Sequence, residues 1–365
     1  MLPLLPLVPI AAIAAVTKFK LSGENLSTYD VPHDVTFNVD PESEGVQAVN
    51  DLLLKNFANS SPKSSFKSGA FKELLKANLP KKRAKFDQMS QDRDFDCEHR
   101  PDLIRFGGHS IPGEWTLVDG ADPGRRILYL HGGAFMVGSA ISHRAITYNL
   151  AKRTQAAVFS PDYRLMPEHS RQDITDDVQA AYDWILNNGP HGPRKAQRIA
   201  IGGDSAGASL ALALLAWVRD TKRRAANAAF VFSAPVDTTF QSPSLRENYK
   251  TDLMLQSFAS SFLKIPRSAR LWLCWKILGL SPAHPSVSPI MGSLNKLPPL
   301  LMQVSRHEML FDDSVRYAEK STRAGNDVTL QSWSHVPHVF QIFDKMLPEA
   351  SRALDEVAAF LSGKL

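Results

Sequence analysis

The chain has 365 residues, 44% of them apolar and 22% charged, with a formal net charge of +5. This composition suits one large globular domain with a subsidiary element, and it excludes a disordered or low-complexity chain. No repeat marks a solenoid, and no recognition motif accompanies the small positive charge, so no nucleic-acid partner is expected.

Residues 1–16 are uncharged and mostly apolar. They fall short of the roughly 20 residues of a membrane span. Pro3, Pro6 and Pro9 disturb a helix there. Lys18 and Lys20 follow the apolar run, whereas a secretory signal carries its positive charge in front. Ala12 and Ala14 keep cleavage open as an alternative. The expectation is an N-terminal arm that packs on the protein or rests on a membrane surface. A cytoplasmic location is favoured over a secreted or membrane-associated one. Between Lys55 and Lys85 stand nine Lys/Arg residues and one acid, Glu73. Such a run reads first as a solvated face, and second as an attraction to anionic lipid or an acidic partner.

Val46, Val49, Leu53 and Phe57 share one helical face, as do Phe71, Leu74, Leu75 and Leu79. The Ser- and Pro-containing stretch 60–65 reads as a loop between them. Residues 17–105 are therefore expected to be helical, without buried strands, and placed as a lid on a catalytic domain spanning 106–365. Cys97 and Cys274 fit no metal or redox spacing and are expected to be free thiols.

From residue 106 the pattern changes. Strands are predicted at Ile127–Leu130, Ala157–Phe159, Ile199–Ile201, Ala229–Phe232, Leu300–Val304 and Val328–Leu330. Helices are predicted at 144–153, 173–187, 206–220, 313–324 and 347–361. The repeated strand-then-helix order implies an α/β class with a mostly parallel central sheet and helices on both faces. Ligands of such sheets bind beyond the carboxyl ends of the strands.

One strand runs into Gly203-Asp204-Ser205-Ala206-Gly207 and an apolar helix. A serine between glycines at a strand-to-helix turn is thrust above the sheet, at the positive end of the helix. Another strand runs into His131-Gly132-Gly133-Ala134-Phe135, where consecutive glycines let backbone N–H groups approach a substrate oxygen. A nucleophilic serine needs a base, and the base needs an orienting acid; in this topology the chain order is Ser, acid, His. The acid candidates are Glu308, Asp312 and Asp313. The two aspartates immediately precede a helix and are explained by its dipole, which favours Glu308. The base candidates are His335 and His338, and spacing alone does not separate them. No cofactor is implied, and no cluster has metal-ligand spacing.

Taken together, the His131–Phe135 run, the Asp162-Tyr163-Arg164-Leu165-Met166-Pro167-Glu168-His169 run, the Gly203–Gly207 run and the terminal His338-Val339-Phe340 resemble the hormone-sensitive-lipase-like family of α/β-hydrolases. That family includes many microbial carboxylesterases. The resemblance covers roughly residues 105–365. It implies His338 as base, because a Phe follows closely, and Glu308 as acid, four residues before Asp312. It also implies an oxyanion hole from the N–H groups of Gly133, Ala134 and Ala206, with Gly132 shaping the loop. Two positions depart from the common pattern: Glu308 stands where most members have Asp, and Ala134 where many have a third Gly. The 162–169 run is expected to brace the oxyanion loop rather than to react. A helical cap is implied by residues before about 105, with residues 253–262.

The expected activity is hydrolysis of short-chain acyl esters of small molecules through an acyl-enzyme. An amidase, deacetylase or lactonase on the same triad is the alternative, and a non-catalytic small-molecule receptor a more distant one. Leu253, Leu255, Phe258 and Phe262 are candidates for the substrate pocket, with ordinary core as the competing explanation. A homodimer and peripheral membrane contact are open alternatives for partners.

Overall fold

The computed structural model describes residues 13–57, 68–91, 93–106 and 108–365. Residues 1–12 and the expected loop at 60–65 lie outside them, as do the side chains of Phe57, Phe71, Leu74, Leu75 and Phe258.

Helices α1 (Glu44–Phe57) and α2 (Ser68–Gln91) come first. They are followed by β1 (Glu98–Phe106), β2 (His109–Leu117), β3 (Asp122–Leu130), α3 (Arg144–Thr154), β4 (Ala156–Pro161) and α4 (Arg171–Ile185). Next come β5 (Arg198–Asp204), α5 (Ser205–Asp220), β6 (Ala228–Phe232), α6 (Gln256–Phe262) and α7 (Arg267–Leu278). The chain closes with β7 (Leu300–Ser305), α8 (Phe311–Arg323), β8 (Val328–Trp333) and α9 (Pro348–Leu361). All eight strands form one sheet in the order β1-β2-β4-β3-β5-β6-β7-β8. Strand β2 runs antiparallel to both neighbours, and every pair from β4 through β8 is parallel.

Strands β4, β6 and β7 are buried at every residue, as a sheet covered on both faces requires. Their alternation divides the core in two. Leu128, Leu130, Ile199, Ile201 and Val231 pack with Ile174 and Val178 of α4 and Leu210 and Leu214 of α5. Ile127, Tyr129, Ala200 and Phe230 point the other way and pack with Ile146 and Leu150 of α3 and Leu354 and Val357 of α9. Each fully buried Leu or Ile contributes about 1.5–3 kcal/mol, so these two layers hold the sheet flat against its helices.

The N-terminal region is bound into this body. Val46, Val49 and Leu53 of α1 are buried in the second core. Helix α2 reaches the loop after β3: Arg83 donates to the carbonyls of Met136 (2.8 Å) and Met166 (3.2 Å), and Ser90 to that of Ser142 (3.1 Å). Residues 17–105 are expected to be helical without buried strands, and they hold one strand that is not of the buried type. Strand β1 lies in that segment and pairs with β2 at the sheet edge. Its sequence, with Pro101 and four charged residues, carries no apolar alternation, because an edge strand buries little; Ile104 is buried while Leu103 is exposed. Cys97 and Cys274 are both free, as expected.

Candidate active site

Strand β5 ends on Asp204, and Ser205 opens α5 with φ +48°. Left-handed backbone at a non-glycine residue costs on the order of 1–3 kcal/mol and persists only where its surroundings enforce it. Here the enforcement is steric. A Cβ on Gly207 would overlap the Leu130 carbonyl oxygen, and one on Gly203 would come within 2.7 Å of the same atom. The turn is thus wedged against the end of β3. The Ala- and Leu-rich sequence of α5 then propagates the helix, leaving Ser205 at its positive end and half-buried.

Ser205 Oγ lies 3.0 Å from His338 Nε2, and His338 Nδ1 lies 3.4 Å from Glu308 Oε1. His338 and Glu308 are 2% and 1% exposed. The other Glu308 oxygen accepts from Ser233 Oγ (2.8 Å) and from the Ser305 N–H (3.2 Å). Ser233 Oγ in turn accepts from the Val339 N–H at 3.1 Å, tying the acid to the loop that carries the imidazole. Burial opposes a charge on His338, but attraction to Glu308, with smaller pulls from Asp252 and Asp204, outweighs it and raises its pKa above the ordinary histidine value. A hydroxyl so placed can give its proton to the imidazole while attacking an acyl carbon.

The rival candidates lie in other surroundings. Asp312 accepts from the Ser244 N–H at 2.6 Å. Asp313 accepts from the N–H groups of Val236 (2.9 Å) and Asp237 (3.1 Å) and from the Ser242 hydroxyl. Burial and the nearby Asp237 push its carboxyl up to about 7. His335 is exposed and stacks on His307, 4.3 Å between ring centres.

After β3, the Gly132 N–H turns inward and donates to Asp204 Oδ1 at 3.0 Å. The same oxygen accepts from Tyr129 (2.7 Å), and the Asp204 Oδ2 lies 3.3 Å from His143 Nε2. Sequence reading missed this buried network around Asp204; only its position beside Ser205 could have drawn attention to it. Gly133, Ala134 and Phe135 all take positive φ, of 116°, 54° and 62°. Among the described residues nothing accepts a hydrogen bond from the Gly133 or Ala134 N–H. The 162–169 run holds this loop. Tyr163 stacks on His131 at 4.2 Å and donates to its carbonyl at 2.5 Å, and the Met166 N–H donates to Phe135 O at 2.8 Å. Arg164 is clamped by Asp177, with contacts of 2.7 and 2.9 Å.

A cavity of about 150 Å³ is walled by Phe135, Arg171, Ser209, Pro235, Cys274 and Val287 among others; Ser205 and His338 do not line it. Leu253, Leu255 and Phe262 do not line it; Leu253 packs against the second core and Phe262 meets Phe240 edge-on at 5.1 Å. A larger cleft of about 840 Å³, lined by Asp94, Asp96, Glu98 and Asp119, opens at the amino end of β3. It is a strand's length from Ser205, at the wrong edge of a parallel sheet for chemistry at that serine.

Residues 127–342 match a family described by its alpha/beta hydrolase fold. The chain is 35% identical over 255 residues to an acetyl-hydrolase of Streptomyces hygroscopicus, covering 70% of this chain and 80% of that one. It is 37% identical over 234 residues to an esterase of Acinetobacter venetianus, covering 64% and 73%. The solved structure of an esterase from the bacterial hormone-sensitive lipase family superposes with a TM-score of 0.72 at 28% identity, over 88% of this chain and 99% of that one.

Proposed function

Since the chain belongs to the α/β-hydrolase family, among the hormone-sensitive-lipase-like carboxylesterases, and hydrolyses carboxylic esters, we propose that it does so through Ser205, His338 and Glu308 on esters of short acyl chains. The 3.0 Å approach of Ser205 Oγ to His338 Nε2 carries this reading.

His338 takes the serine proton as Oγ attacks the acyl carbon. Glu308 holds the Nδ1–H tautomer and stabilises the imidazolium that forms. The N–H groups of Gly133, Ala134 and Ala206 receive the oxyanion, the last of them reinforced by the dipole of α5. His338 then protonates the leaving alcohol, and water releases the acid by the reverse sequence. The name of the acetyl-hydrolase relative supports short acyl chains.

The test is hydrolysis of p-nitrophenyl esters from acetyl to palmitoyl, beside an anilide of the best acid. Turnover peaking at or below about six carbons, with the anilide far slower, is expected. A palmitoyl optimum would contradict the chain-length reading, and a faster anilide would make the protein an amidase. We further propose lipid contact through the N-terminal segment, supported by exposed Ile13 and Phe19 beside Lys18 and Lys20. Co-sedimentation with anionic vesicles, weakened in Phe19→Glu, is expected; no co-sedimentation of the wild type would contradict it.

A further inference from the structure

Cys97, His99 and Glu114 stand in line beside the larger cleft. Residues two apart in extended chain point to one side, so Cys97, just before β1, can share a face with His99. The register of β1 on β2 puts Thr116 opposite His99 and Glu114 opposite Pro101, so Glu114 lies diagonally across on that same face. The contacts follow. Cys97 Sγ lies 3.4 Å from His99 Nε2, and His99 Nδ1 lies 3.3 Å from Glu114 Oε1. Arg144 of α3 donates to both Glu114 oxygens, at 2.9 and 2.5 Å. Burial works against a charge on Glu114, but the hydrogen bonds from Arg144 and His99 outweigh it and bring the carboxyl down to about 2. An ionised carboxylate at Nδ1 holds the proton on that nitrogen, which leaves Nε2 free to take one from the thiol.

The thiol can be reached. Cys97 is half-buried and lines the cleft of about 840 Å³ together with Asp94, Asp96, Glu98 and Asp119. Glu98 is paired with Arg100 at 2.7 Å, but no Lys or Arg lines the cleft among the described residues, so its wall is anionic. Burial, together with Glu114 and Asp96 and against Arg144, pushes the Cys97 thiol up to about 11. The thiolate therefore forms only as its proton passes to His99. A cation in the cleft offsets the same carboxylates that hold the proton on the sulfur. The other free thiol supplies the contrast. Cys274 lines the small cavity with Phe135 and Val287, and no imidazole reaches it among the described residues. Its thiol too is pushed up to about 11 by burial.

We propose that Cys97, with His99 as its base, is a thiol-exchange site, and that the cleft selects small cationic disulfides of the cystamine type over anionic ones. His99 Nε2 takes the thiol proton while Cys97 Sγ attacks one sulfur of the disulfide. The bond between the two sulfurs breaks, its electron pair leaves on the far sulfur, and His99 gives the proton to that aminothiolate. The protein then carries a mixed disulfide and one aminothiol is released. One disulfide replaces another, so no further oxidant is consumed. Exchange needs a thiolate and an open line of approach rather than an oxyanion hole. The cleft is a strand's length from Ser205, so the site does not depend on the ester-hydrolase reading.

The experiment treats the full chain near neutral pH with cystamine or with dithiodiglycolate, small disulfides of opposite charge, and follows the adducts by intact-protein and peptide mass spectrometry. Each rate is divided by that of N-acetylcysteine amide with the same reagent, which removes the intrinsic difference between the two disulfides. In the wild type the first adduct is expected on the Cys97 peptide, with cystamine favoured by about tenfold or more at low salt and by less at high salt. The adduct should be absent in Cys97→Ser and unchanged within about twofold in Cys274→Ser. In His99→Gln it should form about tenfold more slowly or worse, while the cystamine preference persists. First labelling at Cys274, equal normalised rates for the two disulfides, or an undiminished rate in His99→Gln would each overturn the proposal. The labelled position and the charge preference are read in the wild type alone, so they decide it even where a variant fails to fold.

Discussion

Two buried histidine–carboxylate pairs lie within the carboxyl edge of the sheet, and they differ in what stands behind the imidazole. His338 faces Glu308 at 3.4 Å and His143 faces Asp204 at 3.3 Å. Both imidazoles are enclosed, and in both burial opposes the charge while the carboxylate raises the pKa above the ordinary value. Each also touches a serine hydroxyl: Ser205 at 3.0 Å for His338, Ser142 at 2.8 Å for His143. Yet Ser142 is fully buried and its hydroxyl donates to the Ser139 carbonyl at 2.9 Å, while its backbone carbonyl receives Ser90 from α2. The second pair is thus a brace for the loop that bears Gly133 and Ala134. The same three residue types give chemistry or architecture according to whether the serine can reach a substrate.

The comparison breaks most sharply under substitution of the hydroxyls. Ser205→Ala and His338→Ala are each expected to lower kcat/KM by about 10⁴-fold or more in ester hydrolysis, with Glu308→Gln close behind. Ser142→Ala should change it by less than about threefold; a loss comparable to Ser205→Ala would mean the two pairs had been assigned the wrong way round. In the brace, Asp204→Asn leaves a buried imidazole without its counter-charge and should lose about 3 kcal/mol of unfolding free energy in a denaturant titration. A smaller effect belongs to Ser233, which touches Glu308 but not substrate. Ser233→Ala should lower kcat by about five- to tenfold, with KM nearly constant and the acid limb of the pH profile displaced.

Titration sharpens the contrast further, because the two pairs share a sign in stability and only one reports in rate. His338 must be neutral to accept the serine proton. Its raised pKa therefore places the acid limb of kcat/KM above the ordinary histidine value of about 6.5. Glu308→Gln removes the carboxylate that raises it, so the limb should move to lower pH. For stability the direction reverses. A histidine whose folded pKa is raised contributes fully below its unfolded value, and that contribution is lost as pH rises through the folded one. Both pairs are thus expected to lose stability above pH 6.5 while activity climbs. A thermal-melting series showing stability rising across that window would contradict this assignment.

Much of this site was legible because its signals are local. A serine between glycines at a strand-to-helix turn, and a glycine pair after a strand, are short contiguous patterns, and both turned out to be wedged against each other at Leu130 and Gly207. Glu308 was favoured over Asp312 and Asp313 because a helix start explains the two aspartates, whereas His338 was separable from His335 only by resemblance. The five differ in tertiary partners, to which spacing is blind. The Asp204 network and the Ser233 bridge span 72 and 75 positions in the chain, so no window of sequence contains them. Strand β1 escaped for a different reason. Periodicity measures burial, and an edge strand carrying Pro101 and charges buries too little to show it.

The claim that Ser205, activated by His338, is the nucleophile is tested most directly by intact-protein and peptide mass spectrometry after reaction with diethyl p-nitrophenyl phosphate. One diethylphosphoryl group per chain is expected on the peptide containing Ser205. It should be absent in Ser205→Ala and formed far more slowly in His338→Ala. Labelling on Ser142 or another serine, or ester turnover that survives in Ser205→Ala, would contradict the account.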